Sequence, residues 1–281
     1  MRKLPFAVAA FAFACAWSAT IARAEGRFVE VRGNQLYVQT FGSGAPILFL
    51  HGGIVFFDNN FAAQRDFFAA SRKVIGVDRR GHGHSPDNDR PFSYQEMAED
   101  MAALIVALGV APVDIVGHSD GGNIGLILAR DHPELVRRLV VSGANLKSGL
   151  PAEELQKRAL WPEEMVAERA KEMAEKLPPR FRPEFQKAAP GGPGQWWTLL
   201  TKSYRLWLTP VIITPEELKT IKLPVLVMAG DHDFTSIEET TLIYRSLPQG
   251  QLAILPGTGH GTFSVRPELA NFVTREFLDR P

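Results

Sequence analysis

Residues 113–123 read VDIVGHSDGGN. A run of mostly apolar, β-forming residues stops at Gly117, a serine stands two places further on, and Gly121 and Gly122 follow. The pattern G-x-S-x-G fits a sharp strand-to-helix turn that presents the Ser119 hydroxyl, because the flanking glycines carry no Cβ to collide with strand or helix. Ordinary surface turns also use Gly and Ser, so the surrounding chain has to decide between the two.

Similar short apolar runs lie on both sides of this stretch: 46–50 (PILFL), 74–77, 139–141, 223–228 (LPVLVM) and 251–255. Nearly continuous runs of this length fit strands buried on both faces, as in a parallel sheet. Residues 27–31 and 35–41 read as two antiparallel strands around Gly33-Asn34. Helical patterns lie between the runs. Ser93 and Glu96 form a capping box, and Met97, Met101, Leu104, Ile105 and Leu108 then recur as one apolar stripe. Residues 123–130, 236–246 and 267–278 read as further helices. Alternation of this kind predicts a doubly wound α/β fold, with a mostly parallel sheet and helices on both faces.

Residues 145–214 break the rhythm. They hold no strand signal, show helix starts at Pro151 and Pro162, and contain the loop Pro190–Gly194. The expected organisation is a core domain over 25–144 and 215–281, with a helical lid over 145–214 inserted between strands six and seven. Residues 1–24 read as a signal peptide: Arg2 and Lys3, an apolar stretch from Leu4 to Trp17, then Ala22-Arg23-Ala24 before a cut at Glu25.

Removing that segment changes the charge. The 31 basic residues lose Arg2, Lys3 and Arg23, leaving 28 against 31 acidic ones and a formal net charge of −3. Such a balance gives no basic field for nucleic acid or for an anionic membrane, and no stable membrane association is expected after cleavage. The single cysteine, Cys15, leaves too, which excludes thiol nucleophiles and zinc–thiolate sites from the mature chain. A secreted or periplasmic location is expected. The oligomeric state is open.

A nucleophilic serine needs a base, and the base needs an orienting acid. On this topology the order along the chain is Ser, acid, His, each at a strand end. Gly230-Asp231-His232-Asp233 follows LPVLVM and Gly259-His260-Gly261 follows the 251–255 run, so Asp231 and Asp233 are both candidate acids and His260 is the candidate base. His51-Gly52-Gly53 ends the PILFL run. The stretch DRRGHGHS at 78–85, with Asp87 close by, holds two histidines but no further set of metal ligands; a structural turn is expected, with no metal and no cofactor.

On these motifs the chain resembles the α/β-hydrolase fold family over residues 27–280. The resemblance implies Asp233 as the acid, three residues after the glycine that ends strand seven. It implies an oxyanion hole made by the backbone N–H groups of Gly53, with Ile54 as runner-up, and of Asp120. The Asp120 carboxylate is read as a cap on its own helix, with a pocket-lining charge as the alternative. His51 and His118 are read as packing residues. With serine at the elbow, the resemblance implies acyl transfer to water, most simply hydrolysis of a carboxylic ester or lactone. C–C bond hydrolysis, aminopeptidase activity and a ligand receptor with vestigial hydrolysis are the alternatives. Phe56, Phe57, Trp161, Trp196, Trp197 and Trp207 are candidates for an apolar pocket binding a small-molecule acyl or aromatic group.

Overall fold

A computed structural model describes residues 26–280; the expected signal peptide lies outside the described residues. The strands are β1 (Arg27–Val31), β2 (Asn34–Phe41), β3 (Pro46–Leu50), β4 (Lys73–Asp78), β5 (Val113–His118), β6 (Val136–Ser142), β7 (Val225–Gly230) and β8 (Gly250–Leu255). They form one sheet in the order β1-β2-β4-β3-β5-β6-β7-β8. β2 pairs antiparallel with β1 and with β4, and all later pairings are parallel. Every residue of β5 and β7 is buried, which is why neither alternates; β7 is apolar throughout, and β5 is apolar but for Asp114 and the terminal His118.

The helices are α1 (Phe57–Ala69), α2 (Tyr94–Leu108), α3 (Asp120–Asp131), α4 (Ala152–Ala159), α5 (Glu163–Ala174), α6 (Phe181–Ala188), α7 (Gly192–Leu206), α8 (Pro215–Leu218), α9 (Ile237–Ser246), α10 (Thr262–Val265) and α11 (Pro267–Leu278). One core cluster packs α2, α3 and α9 on one face of the sheet, and a second packs α1 and α11 on the other. The stripe read in the sequence of α2 is the face it buries, and each such Leu or Ile side chain contributes about 1.5–3 kcal/mol. Gly109, left-handed at φ 63°, ends that helix.

Helices α4–α7 lie between β6 and β7. The two ends of this segment meet: Ile212 N–H donates to Leu146 O at 2.8 Å, and Ser148 N–H to Thr209 O at 3.3 Å. Elsewhere the segment rests on the body through Lys202–Asp87 at 2.7 Å, Gln195 Nε2 to Ser85 O at 3.2 Å and Asn59 Nδ2 to Glu184 at 3.2 Å.

Candidate active site

β5 delivers its chain at the carboxyl end of the sheet, where α3 begins. Between them Ser119 takes φ 54° and ψ −121°, a conformation that costs a non-glycine residue about 1–3 kcal/mol. The turn holds because Ser119 N–H donates to Ser142 O at 2.8 Å, and Ser119 O accepts Gly122 N–H at 2.8 Å and Asn123 N–H at 3.1 Å. A Cβ on Gly121 would overlap the Leu50 carbonyl oxygen, so α3 approaches β3 this closely only with glycine there.

The loop after β7 carries Asp233 and the loop after β8 carries His260; the two side chains meet at 2.9 Å between Asp233 Oδ1 and His260 Nδ1. The Asp233 side chain is fully buried, and Thr235 N–H also donates to Oδ1 at 3.0 Å. Burial alone pushes this carboxyl up, but the hydrogen bond and charge of His260 outweigh it, and the group titrates below its ordinary value. A carboxylate accepts only, so His260 carries its proton on Nδ1 and leaves Nε2 free as an acceptor. Asp231 is used otherwise: it accepts Thr258 N–H at 3.0 Å and so fixes the loop leading to His260. Gly143, left-handed at φ 64°, backs the pair; a Cβ there would stand 2.7 Å from His260 Cε1.

Ser119 and His260 open on one cavity of about 500 Å³. Gly52, Gly53, Ile54 and Asp120 line it on the Ser119 side. Ile54 holds φ 56°, a second strained position beside Ser119. The N–H groups of Gly53, Ile54 and Asp120 make no hydrogen bond to another described residue. The loop after β3 is fixed from beneath by two buried residues. His51 Nε2 accepts Arg79 N–H at 3.0 Å, so its Nδ1–H donates to Gly52 O at 2.7 Å. Burial, then the neighbouring Arg79 charge, holds this imidazole well below its usual pKa, hence neutral. The buried Arg79 donates through Nη2 to His51 O at 2.9 Å and Gly52 O at 2.8 Å. Burial lowers its guanidinium to about 10, which still leaves it charged at neutral pH. Sequence reasoning missed Arg79, since nothing in DRRGHGHS separates a buried arginine from an exposed one.

The rest of that stretch is a structural turn. Asp78 accepts Phe57 N–H at 2.9 Å and His84 N–H at 3.0 Å, and Ser85 Oγ donates to Asp78 O at 2.6 Å. Arg80 binds Asp87 at 3.1 Å and the Arg90 and Pro91 carbonyls at 2.9 Å each.

Asp120 departs from its expected role as a helix cap, because its carboxylate accepts from side chains and from no backbone N–H of its helix. It is buried, and accepts the Tyr94 hydroxyl at 2.8 Å and the Trp207 indole N–H at 3.0 Å. Burial and the Asp120 charge push the Tyr94 phenol well above its ordinary pKa, so it remains a donor. A Cβ on Gly53 would lie 2.5 Å from Asp120 Oδ2 and 2.7 Å from Trp207 Cζ2, so loop, Ser119 turn and inserted helices converge at one point.

Of the six aromatic residues expected at the pocket, only Trp207 lines the cavity. Phe56 is buried edge-on to His84, and Phe57 packs in the core against Phe41 and Phe49. Trp196 is buried against Phe185 within the inserted segment, Trp161 lies between Arg158 and Arg169, and Trp197 lies under Arg182. The walls are instead Val55, Met173, Leu177, Phe181, Leu208 and Ile212. Phe234, 79% exposed, covers the His260 ring at 4.0 Å between centroids. Among the lining residues Arg158 is the one Lys or Arg, and it is engaged by Glu154 at 2.7 Å and the Tyr204 hydroxyl at 2.8 Å.

Residues 45–185 match the family model described as alpha/beta hydrolase fold. The sn-1-specific diacylglycerol lipase ABHD11 of Mus musculus is 28% identical over 240 residues, spanning 79% of this chain and 77% of the lipase. A non-heme haloperoxidase of Rhodococcus erythropolis is 27% identical over 276 residues, 88% of this chain and 97% of the haloperoxidase. Among solved structures, Est816, described as an N-acyl homoserine lactone degrading enzyme, superposes with a TM-score of 0.70 at 26% identity, covering 89% of this chain and 99% of that one.

Proposed function

Because this chain belongs to the alpha/beta hydrolase fold family, we propose that it is a serine hydrolase that cleaves a carboxylic ester or lactone with a neutral, apolar acyl group. The observation that carries the reading is the Asp233–His260 pair opening on the same cavity as the strained Ser119. Nε2 of His260 takes the Ser119 proton as Oγ attacks the carbonyl carbon, and Nδ1–H stays on the ionised Asp233, which stabilises the imidazolium. The unpartnered N–H groups of Asp120 and of Gly53 or Ile54 receive the oxyanion. His260 then protonates the leaving alkoxide, and water, deprotonated by the same nitrogen, releases the acid from Ser119.

The mainly apolar walls and the absence of an uncommitted cation among the lining residues support a neutral acyl group over an anionic one. In this reading α4–α7 form a lid and Trp207 seats it on Asp120. The basic-then-apolar N-terminus supports export with cleavage before Glu25. N-terminal sequencing of protein recovered from the periplasm or medium tests that cleavage.

The activity test is hydrolysis of p-nitrophenyl esters from acetate to palmitate by residues 25–281 and by Ser119→Ala. Multiple turnover peaking at a middle chain length and absent from the variant is expected. Turnover that survives Ser119→Ala refutes the mechanism, and none from the unsubstituted protein refutes the ester substrate.

A further inference from the structure

Between the two halves of the candidate site runs a chain of hydrogen bonds that the mechanism does not use. Gly52 N–H donates to Asn60 Oδ1 at 2.8 Å, His118 Nδ1 lies 3.1 Å from Asn60 Nδ2 and 3.2 Å from its Oδ1, and His118 Nε2 lies 2.8 Å from the backbone oxygen of His260. The ends fix the direction of the whole chain. A backbone N–H only donates, so Asn60 turns its oxygen to Gly52 and its amide to His118. A backbone carbonyl only accepts, so His118 carries hydrogen on Nε2 and offers the Nδ1 lone pair to Asn60. Both requirements are met together by one neutral tautomer. Burial, followed by the neighbouring His260, lowers the His118 pKa to about 4 and keeps that tautomer at working pH. The ring is also gripped edge-on by Phe61 and Phe263, at 6.5 and 6.0 Å between centroids.

We propose that Asn60 and His118 are positioning residues acting as one unit, which holds the main chain of His260 in register with the Gly52–Ile54 loop across the Ser119 turn. The proposal rests on the hydrolase reading. Loss of either residue lets the base and the oxyanion donors drift relative to each other, and such misplacement costs rate more than substrate affinity. His118 thereby differs from its reading as a packing residue: its ring bonds at both nitrogens.

The test uses Asn60→Ala, His118→Phe, which keeps the aromatic packing and drops both bonds, and the double variant. Each single change is expected to lower kcat by about tenfold or more with KM changed by less than about threefold, and the double change to add less than about threefold. Effects that multiply to about a hundredfold, or singles that leave kcat unchanged, overturn the proposal. A second measurement works without any activity or variant: nitrogen-15 spectra of histidine-labelled wild-type protein at pH 7 are expected to show His118 protonated on Nε2 alone. A proton on Nδ1 overturns the proposal even where the variants fail to fold. Wild-type protein with no Ser119-dependent turnover sinks the hydrolase reading instead, and the tautomer still decides the hydrogen-bond chain.

Discussion

Trp207→Phe keeps an aromatic ring over Gly53 and deletes one donor. That N–H is shared between both oxygens of Asp120, at 3.0 and 3.1 Å, and Asp120 is buried with only the Tyr94 hydroxyl as a further side-chain donor. A hydrogen bond to a buried charge is worth about 1.5–3 kcal/mol. Trp207 is itself only partly buried, so the lower part of the range applies, about 1.5–2 kcal/mol. Urea unfolding at pH 7.5 reads the loss directly. The same exchange in an Asp120→Asn background removes the charge first, and there it is expected to cost less than about 0.5 kcal/mol. Equal costs in the two backgrounds would refute the reasoning, since the indole would then be stabilising through its bulk alone. In the hydrolase reading the unpaired charge also stands beside the developing oxyanion, so Trp207→Phe lowers kcat, and Asp120→Asn restores part of it.

Asp233→Asn is expected to lower kcat by about 10³–10⁴-fold by leaving His260 without an anionic partner, whereas Asp231→Asn changes it by less than about threefold; comparable losses would reassign the acid. Acid destabilises the fold through buried histidines. His118 falls from 6.5 when unfolded to about 4 when folded, so its contribution is complete above pH 6.5 and is lost as pH falls towards 4, about 2 kcal/mol of it by pH 5. His51 and His82, also lowered by burial, act in the same direction, and a urea midpoint equal at pH 7.5 and 5 would contradict this. Asp114→Ala removes the buried acceptor of Arg72 (2.7 Å) and Arg137 (2.8 Å) while Asp279 still pairs with Arg72, and is expected to cost about 2–3 kcal/mol; calorimetry showing under about 1 kcal/mol would mean the pairs contribute little.

The sheet was legible because strands buried on both faces run mostly apolar, and the runs ending at Leu50, His118 and Gly230 do so apart from Asp114 and His118. The strained turn at Ser119 was legible because it leaves no room for a Cβ at the positions two residues to either side, Gly117 and Gly121. The pocket was not legible from aromatic content. Adjacent residues on a helix point about 100° apart, so Trp196 and Trp197 could not share a face, and neither faces the cavity. Phe57 begins α1 and points into the core, although the neighbouring loop lines the cavity. Arg79 and Asn60 act by meeting residues 27 and 58 positions away, a proximity that only the fold creates. Asp120 looked like a helix cap because caps are local, and its true partners, Tyr94 and Trp207, come from two distant helical regions.

The meeting of Leu146 with Ile212 gives the segment between them the character of a cassette. Its two ends meet each other just beyond β6, so its length and content can change without moving β6 or β7. Ser119, Asp233 and His260 all lie outside it, on loops whose geometry the sheet sets. The apolar wall of Met173, Leu177 and Phe181 lies within it. In the hydrolase reading, variation inside the cassette therefore alters which acyl groups fit while Ser119, Asp233 and His260 stay where they are. This arrangement lets one scaffold diverge in preference without reinventing its chemistry.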